Sequence, residues 1–163
     1  MNFPFNLIII PALIITLAYL SRQAIKQGLH PWYDDLRKPK WTPPAKLIGE
    51  IWIFLYVITA LAVLWYWNVP VAGWFKYIVG AVLLSNAYFH KTWNEVFFVQ
   101  HDLAKASQVI KYLLISGLIA VVLMVIDSPI AAFLMLPYIL WVVLARQRTK
   151  QLLRLTSQKP KHK

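Results

Sequence analysis

There is no cysteine among the 163 residues. That absence excludes a disulfide framework, thiolate chemistry and cysteine-based metal sites, and it leaves the redox compartment open. Acidic residues are scarce, six Asp and Glu against 17 Lys and Arg, so the formal net charge is +11. No nucleophile–base set, phosphate-binding loop or zinc-type spacing occurs, which argues against ordinary hydrolases and transferases. Internal repeats and low-complexity tracts are missing too. Met1-Asn2-Phe3-Pro4-Phe5 lacks the basic n-region of a signal peptide, so the first apolar run is expected to stay as a span.

Apolar residues are abundant, at 60% of the chain, where soluble domains run at about 45–50%. They fall in blocks with few or no charges, the pattern of an integral membrane protein. Five helical spans are expected, near 5–24, 46–67, 72–93, 104–126 and 130–150. Together they make one all-α transmembrane domain over 1–150, followed by a basic cytoplasmic tail over 151–163. The spans leave no room for a soluble domain. Pro11 predicts a kink in the first span, and Pro129 suits the first turn of the last.

On a soluble protein the excess of cations would suggest a nucleic-acid partner. Here the cations flank the apolar blocks, so topology and lipid headgroups account for them and no nucleic acid is expected. Arg22, Lys26, Arg37, Lys38, Lys40 and Lys46 cluster in the first connection, and Lys91 and Lys105 flank the third. Arg146, Arg148, Lys150 and Arg154 lead into the tail. All lie on one side, and the opposite side holds only Lys76 with Asp127. The positive-inside rule puts the N-terminus outside and the tail in the cytoplasm, across the cytoplasmic (inner) membrane if the source is bacterial.

Between the first two spans runs Trp32-Tyr33-Asp34-Asp35-Leu36-Arg37-Lys38-Pro39-Lys40-Trp41-Thr42-Pro43-Pro44. Proline fixes its own φ and pushes the preceding residue toward extended backbone, so no helix is expected to run through this segment. A lid loop over the bundle, residues 27–45, is the remaining reading.

Trp41-Thr42-Pro43-Pro44, then Gly49, Trp52 and Leu55-Tyr56, resembles the W-x-P-P…G-x-x-W-x-x-L-Y signature of the translocator protein family, whose bacterial members are tryptophan-rich sensory proteins. Trp93 with Phe97-Phe98 resembles its W-x-x-x-F-F. Ser128-Pro129 and Pro137-Tyr138-Ile139-Leu140-Trp141 resemble its S-P…P-Y-x-x-W. The match runs in order from about residue 28 to about 145.

The resemblance implies a five-helix bundle, usually a homodimer, with a pocket opening toward the cytoplasmic side under the first connection. Its ligands would be porphyrins such as protoporphyrin IX and haem, or similar hydrophobic molecules, bound for sensing, transport or stress response without an obligatory cofactor. Some bacterial members degrade protoporphyrin in light, and the two tryptophans implicated there match Trp52 and Trp141. The implied binding set is Trp32, Tyr33, Trp41, Pro43, Pro44, Trp52, Tyr56, Asn86, His90, Trp93, Phe97, Tyr138 and Trp141.

Three departures alter that pattern. Asn86 and His90 stand where the family usually has Gln and Asn, Glu50 stands where it commonly has proline, and Arg148-Thr149-Lys150-Gln151 lacks the tyrosine of the sterol motif. Sterol binding is therefore not expected at that position, and the pocket polarity changes.

Indole offers a flat face for stacking and one N–H donor. The plainer reading of a membrane tryptophan is an interfacial anchor; it suits Trp65, Trp67 and Trp74. Ionisable groups within spans usually face the bundle interior or water. Glu50 and His90 both fall on the cytoplasmic half, so they are expected to be able to meet. Together they suggest either haem ligation by His90 or proton coupling in a small transporter, against the plainer reading of an interhelical hydrogen bond. Gly73 and Gly80, seven residues apart, hint at a helix–helix seam.

Overall fold

A computed structural model describes residues 5–70 and 72–157. Five long helices make up the fold: α1 (Asn6–Gly28), α2 (Ala45–Asn68), α3 (Gly73–Asn94), α4 (Leu103–Asp127) and α5 (Pro129–Ser157). There is no strand among the described residues. Four segments are long and apolar enough to cross a membrane: Asn6–Tyr33, Ala45–Asn68, Leu103–Asp127 and Pro129–Ser157. Helix α3 has similar length but is less apolar, with Lys76, Asn86, His90 and Lys91 along it.

The helices close a ring in the order α1, α2, α5, α4, α3 and back to α1. Consecutive α2 and α3 are therefore not neighbours, and the space between them belongs to the ring interior. Large apolar side chains crowd the outside, among them Ile8, Ile15, Ile53, Val57, Leu84, Val122 and Phe133, all more than half exposed. Soluble surfaces rarely present so much contiguous apolar area, whereas a bilayer requires it.

Local chemistry sets the helix ends. Asp102 caps α4, its carboxylate accepting the Lys105 N–H at 2.8 Å. Ahead of it His101 turns the chain at φ 56°, a conformation that histidine tolerates better than most residues. Ser128 accepts the Ala131 N–H at the start of α5, where Pro129 opens the helix as expected. A Cβ at Gly28 would lie 1.7 Å from the Phe98 carbonyl oxygen, so only glycine lets α1 pass the π-helical turn Glu95–Val99 that follows α3.

Two boundaries differ from the sequence expectation. The connection after α1 is not a loop from residue 27. Helix α1 continues to Gly28, a π-helical turn covers Leu29–Tyr33, and the helical turn ends at Asp35, so only 36–44 is irregular. Pro31 forces only its predecessor out of helical geometry, with His30 at φ −125° and ψ 135°, and the prolines that end the helix begin at Pro39. Helix α5 runs to Ser157, into the expected tail, because Gln151-Leu152-Leu153-Arg154 are good helix formers and Leu152 is fully buried. The tail cations Lys159, Lys161 and Lys163 lie outside the described residues. Nor is Gly80 an open seam: the Trp67 ring already covers it, 3.3 Å from where a Cβ would stand.

Candidate functional site

The ring interior holds a cavity of about 370 Å³ among α1, α2, α3 and α5. Its walls are almost wholly apolar. Asn6, Ile10, Leu13 and Leu17 line one side from α1, at roughly helical spacing. Trp52, Leu55, Tyr56, Thr59 and Val63 face them from α2, and Gly80, Leu83, Asn86, Ala87 and His90 from α3. Helix α5 contributes Met135 and Tyr138. The cavity thus runs from mid-bundle toward the α2–α3 connection, where Trp67 and Phe5 also line it.

An aromatic cluster closes the inner end. Trp52 stands edge-on to His90, with ring centroids 4.8 Å apart, and to Trp141, at 6.4 Å. Tyr56 packs edge-on against the same imidazole at 5.7 Å. Edge-to-face pairs at such separations are favourable.

Two polar side chains at this site, Asn86 and Asn94, are tied to fixed partners. Asn86 donates to the Leu113 carbonyl at 2.8 Å and to Ser116 Oγ at 3.0 Å, and its Oδ1 accepts the Tyr138 hydroxyl at 2.7 Å. One side chain of α3 thereby joins α4 and α5. Asn94 Nδ2 donates to the His90 carbonyl at 3.0 Å and to Ser21 Oγ at 3.2 Å. Ser21 Oγ and His90 Nδ1 are 3.4 Å apart. His90 Nε2 is buried and has no partner.

The expected site residues divide into groups. Trp52, Tyr56, Asn86, His90 and Tyr138 line the cavity, and Trp141 joins them through Trp52. Trp32, Tyr33, Trp93 and Phe97 form a separate layer at the end of the bundle by the first connection. Trp32 meets Phe97 at 5.4 Å and stacks on His101 at 4.2 Å; Trp93 meets Phe97 at 5.2 Å. Trp41, Pro43 and Pro44 reach neither group: Trp41 is 44% exposed and donates to Gln151 Oε1 at 2.9 Å, and Pro44 precedes α2. No residue of 27–45 lines the cavity.

Glu50 and His90 do not meet. The Glu50 side chain is 58% exposed and reaches Lys46 across one helical turn at 4.0 Å, while His90 is buried against Ser21 and Asn94. About half a turn of α2 separates Glu50 from the wall residue Trp52, and Glu50 lies on the outside. Asn94 had a legible signal, a polar residue one turn beyond His90. Ser21 had none, since it closes an apolar run like any terminal serine. Arg148 counts as a tail cation by sequence, yet it is 4% exposed.

These features define an all-helical integral membrane protein with an apolar, aromatic-ended cavity inside its ring. The TspO/MBR family profile matches residues 7–150, and the chain belongs to that family. Over 118 residues it is 32% identical to the tryptophan-rich protein TspO of Bacillus cereus, covering 70% of this chain and 73% of that one. It is 30% identical to the human translocator protein over 125 residues, covering 75% and 72%. The tryptophan-rich sensory protein of Cereibacter sphaeroides is 26% identical over 129 residues, 79% of each.

Proposed function

We propose that this protein binds a tetrapyrrole, protoporphyrin IX or haem, within the helix bundle, and that binding serves sensing, transport or a stress response. The observation that carries the reading is the Trp52–His90–Trp141 cluster at the closed end of an apolar cavity. Ligand pockets are concave and mainly apolar, with a few placed polar groups and volumes of about 300–1,000 Å³. Haem would add an iron that His90 Nε2 can ligate, the imidazole proton then residing on Nδ1 toward Ser21. In this reading α3 is the fifth span, the N-terminus is outside, the tail is cytoplasmic and the chain pairs as a homodimer.

Titration of the purified protein with protoporphyrin IX and with haem, followed by tryptophan quenching and the Soret band, tests it. Saturable binding lost in Trp52→Ala and Trp141→Ala supports the reading; a complete lack of saturable binding overturns it.

The Trp52–Trp141 contact, with ring centroids 6.4 Å apart, favours a second reading, light-dependent porphyrin degradation, because two oxidisable indoles would stand beside one ligand. Proton coupling through a Glu50–His90 pair is not carried forward, since the pair does not form.

A further inference from the structure

Arg148 is a buried cation without a counter-charge. It is 4% exposed, its Nε has no partner, and no hydrogen bond or ion pair reaches its guanidinium among the described residues. All six acidic side chains lie elsewhere: Asp34 pairs with His30, Glu50 with Lys46 and Glu95 with Lys91, Asp102 caps α4, and Asp35 and Asp127 are exposed. A guanidinium only donates, so the buried Nε–H of Arg148 lacks an acceptor.

A second set of atoms has the same deficiency. Trp141 Nε1 is also buried without an acceptor. Trp141 and Arg148 are seven residues apart on α5, so they share one face about 10 Å apart along the axis. Leu144 and Ala145 stand between them at helical spacing. Trp93 Nε1 and His90 Nε2 are buried without partners as well. Tryptophan N–H groups can only donate. The interior of this half of the bundle therefore has buried donors in excess, and what complements them is an acceptor that carries negative charge.

We propose that Arg148 is the anchor of an oxyanion subsite, and that it takes the carboxylate of a flat aromatic acid whose ring system lies against Trp141 and Trp52. The inference rests on the ligand reading above and adds the chemical class: an acid is required, and its neutral ester is discriminated against. Charge-assisted hydrogen bonds from guanidinium to carboxylate are among the strong ones, and a fixed donor fork makes them directional.

The test compares each acid with its ester in nanodiscs of neutral lipid, by tryptophan quenching in the dark. The pairs are protoporphyrin IX with its dimethyl ester, and 1-pyrenebutyrate with its methyl ester. The expected result is that Arg148→Gln weakens the acids at least about tenfold, or about 1.4 kcal/mol, and leaves the esters unchanged, with partial recovery in Arg148→Lys. The melting temperature of ligand-free Arg148→Gln should be unchanged or raised, because an uncompensated charge has gone; a purely structural arginine would lower it. Suppression of the acid preference by phosphatidylglycerol in the nanodisc supports the same subsite and assigns it to a headgroup phosphate as well. Failure of both porphyrins to bind, with pyrenebutyrate still preferred over its ester, removes the tetrapyrrole reading and keeps the subsite. Equal acid and ester affinities in the wild-type protein, or acid affinities untouched by Arg148→Gln, overturn the proposal.

Discussion

The Tyr138 hydroxyl donates to Asn86 Oδ1 at 2.7 Å, deep in the ring and at the cavity wall. That bond completes the side chain of Asn86, whose amide protons already serve Leu113 and Ser116 on α4. Three helices therefore meet at one polar side chain, and the cavity wall they form is fixed. Buried polar groups in such a site are worth most when every member is satisfied.

Tyr138→Phe keeps the ring and removes the donor, which leaves Asn86 Oδ1 buried and unpaired. The expected cost is about 1–3 kcal/mol, read as a fall in melting temperature in detergent. The double change Tyr138→Phe with Asn86→Leu should recover much of it, because neither partner is then left unsatisfied. A single variant as stable as the wild type would remove Asn86 from the account of how α3, α4 and α5 are joined.

Gly28→Ala should be poorly tolerated. The added methyl would lie 1.7 Å from the Phe98 carbonyl oxygen and 2.5 Å from its carbonyl carbon, and both are backbone atoms that cannot rotate away. Overpacking of this kind costs about 1–3 kcal/mol, and more where backbone must move. Gly49→Ala is the matched control, since nothing lies within 4 Å of its Cβ position. Thermal unfolding of the two side by side should show loss in the first and little change in the second.

The sequence makes the helices legible because length and apolarity suffice for a span, and the prolines at 129, 39, 43 and 44 fall where helices begin or end. The aromatic cluster is legible through the resemblance, which picks out Trp52 and Trp141 among eight tryptophans. What is not legible depends on facing. Glu50 and His90 look alike on a line of residues, yet Glu50 faces out of α2, two residues before the wall residue Trp52, while His90 lies within the ring. Arg148 reads as one more tail cation until α5 is seen to continue past it, with Leu152 buried beyond. Gly28 and Ser21 matter only through contacts with α3 and the turn after it, and no local pattern announces such contacts.

Glu50→Gln should be close to silent. Its carboxylate is more than half exposed and its one partner, Lys46, is 90% exposed at 4.0 Å. Exposed pairs of this spacing contribute about 0–0.5 kcal/mol. Melting temperature and porphyrin affinity should both match the wild type. A large loss of ligand flux across proteoliposomes in this variant would reinstate the carboxylate as a functional group and contradict its placement outside the ring.

Trp52 and Trp141 should separate in their effects on binding and on light chemistry. Trp141 is half-buried and meets Trp52 edge-on, so Trp141→Ala removes one aromatic wall and leaves the His90–Trp52 contact in place. The expected loss of protoporphyrin affinity is about 1–3 kcal/mol, the scale of one aromatic contact at a binding hot spot. Trp141→Phe retains a ring face and should keep most of that affinity. It removes the indole, however, so any bleaching of bound porphyrin under illumination should slow sharply while dark binding persists. Bleaching at the wild-type rate in both Trp141→Phe and Trp52→Phe would assign the light reaction to the porphyrin itself and leave these tryptophans as a binding surface only.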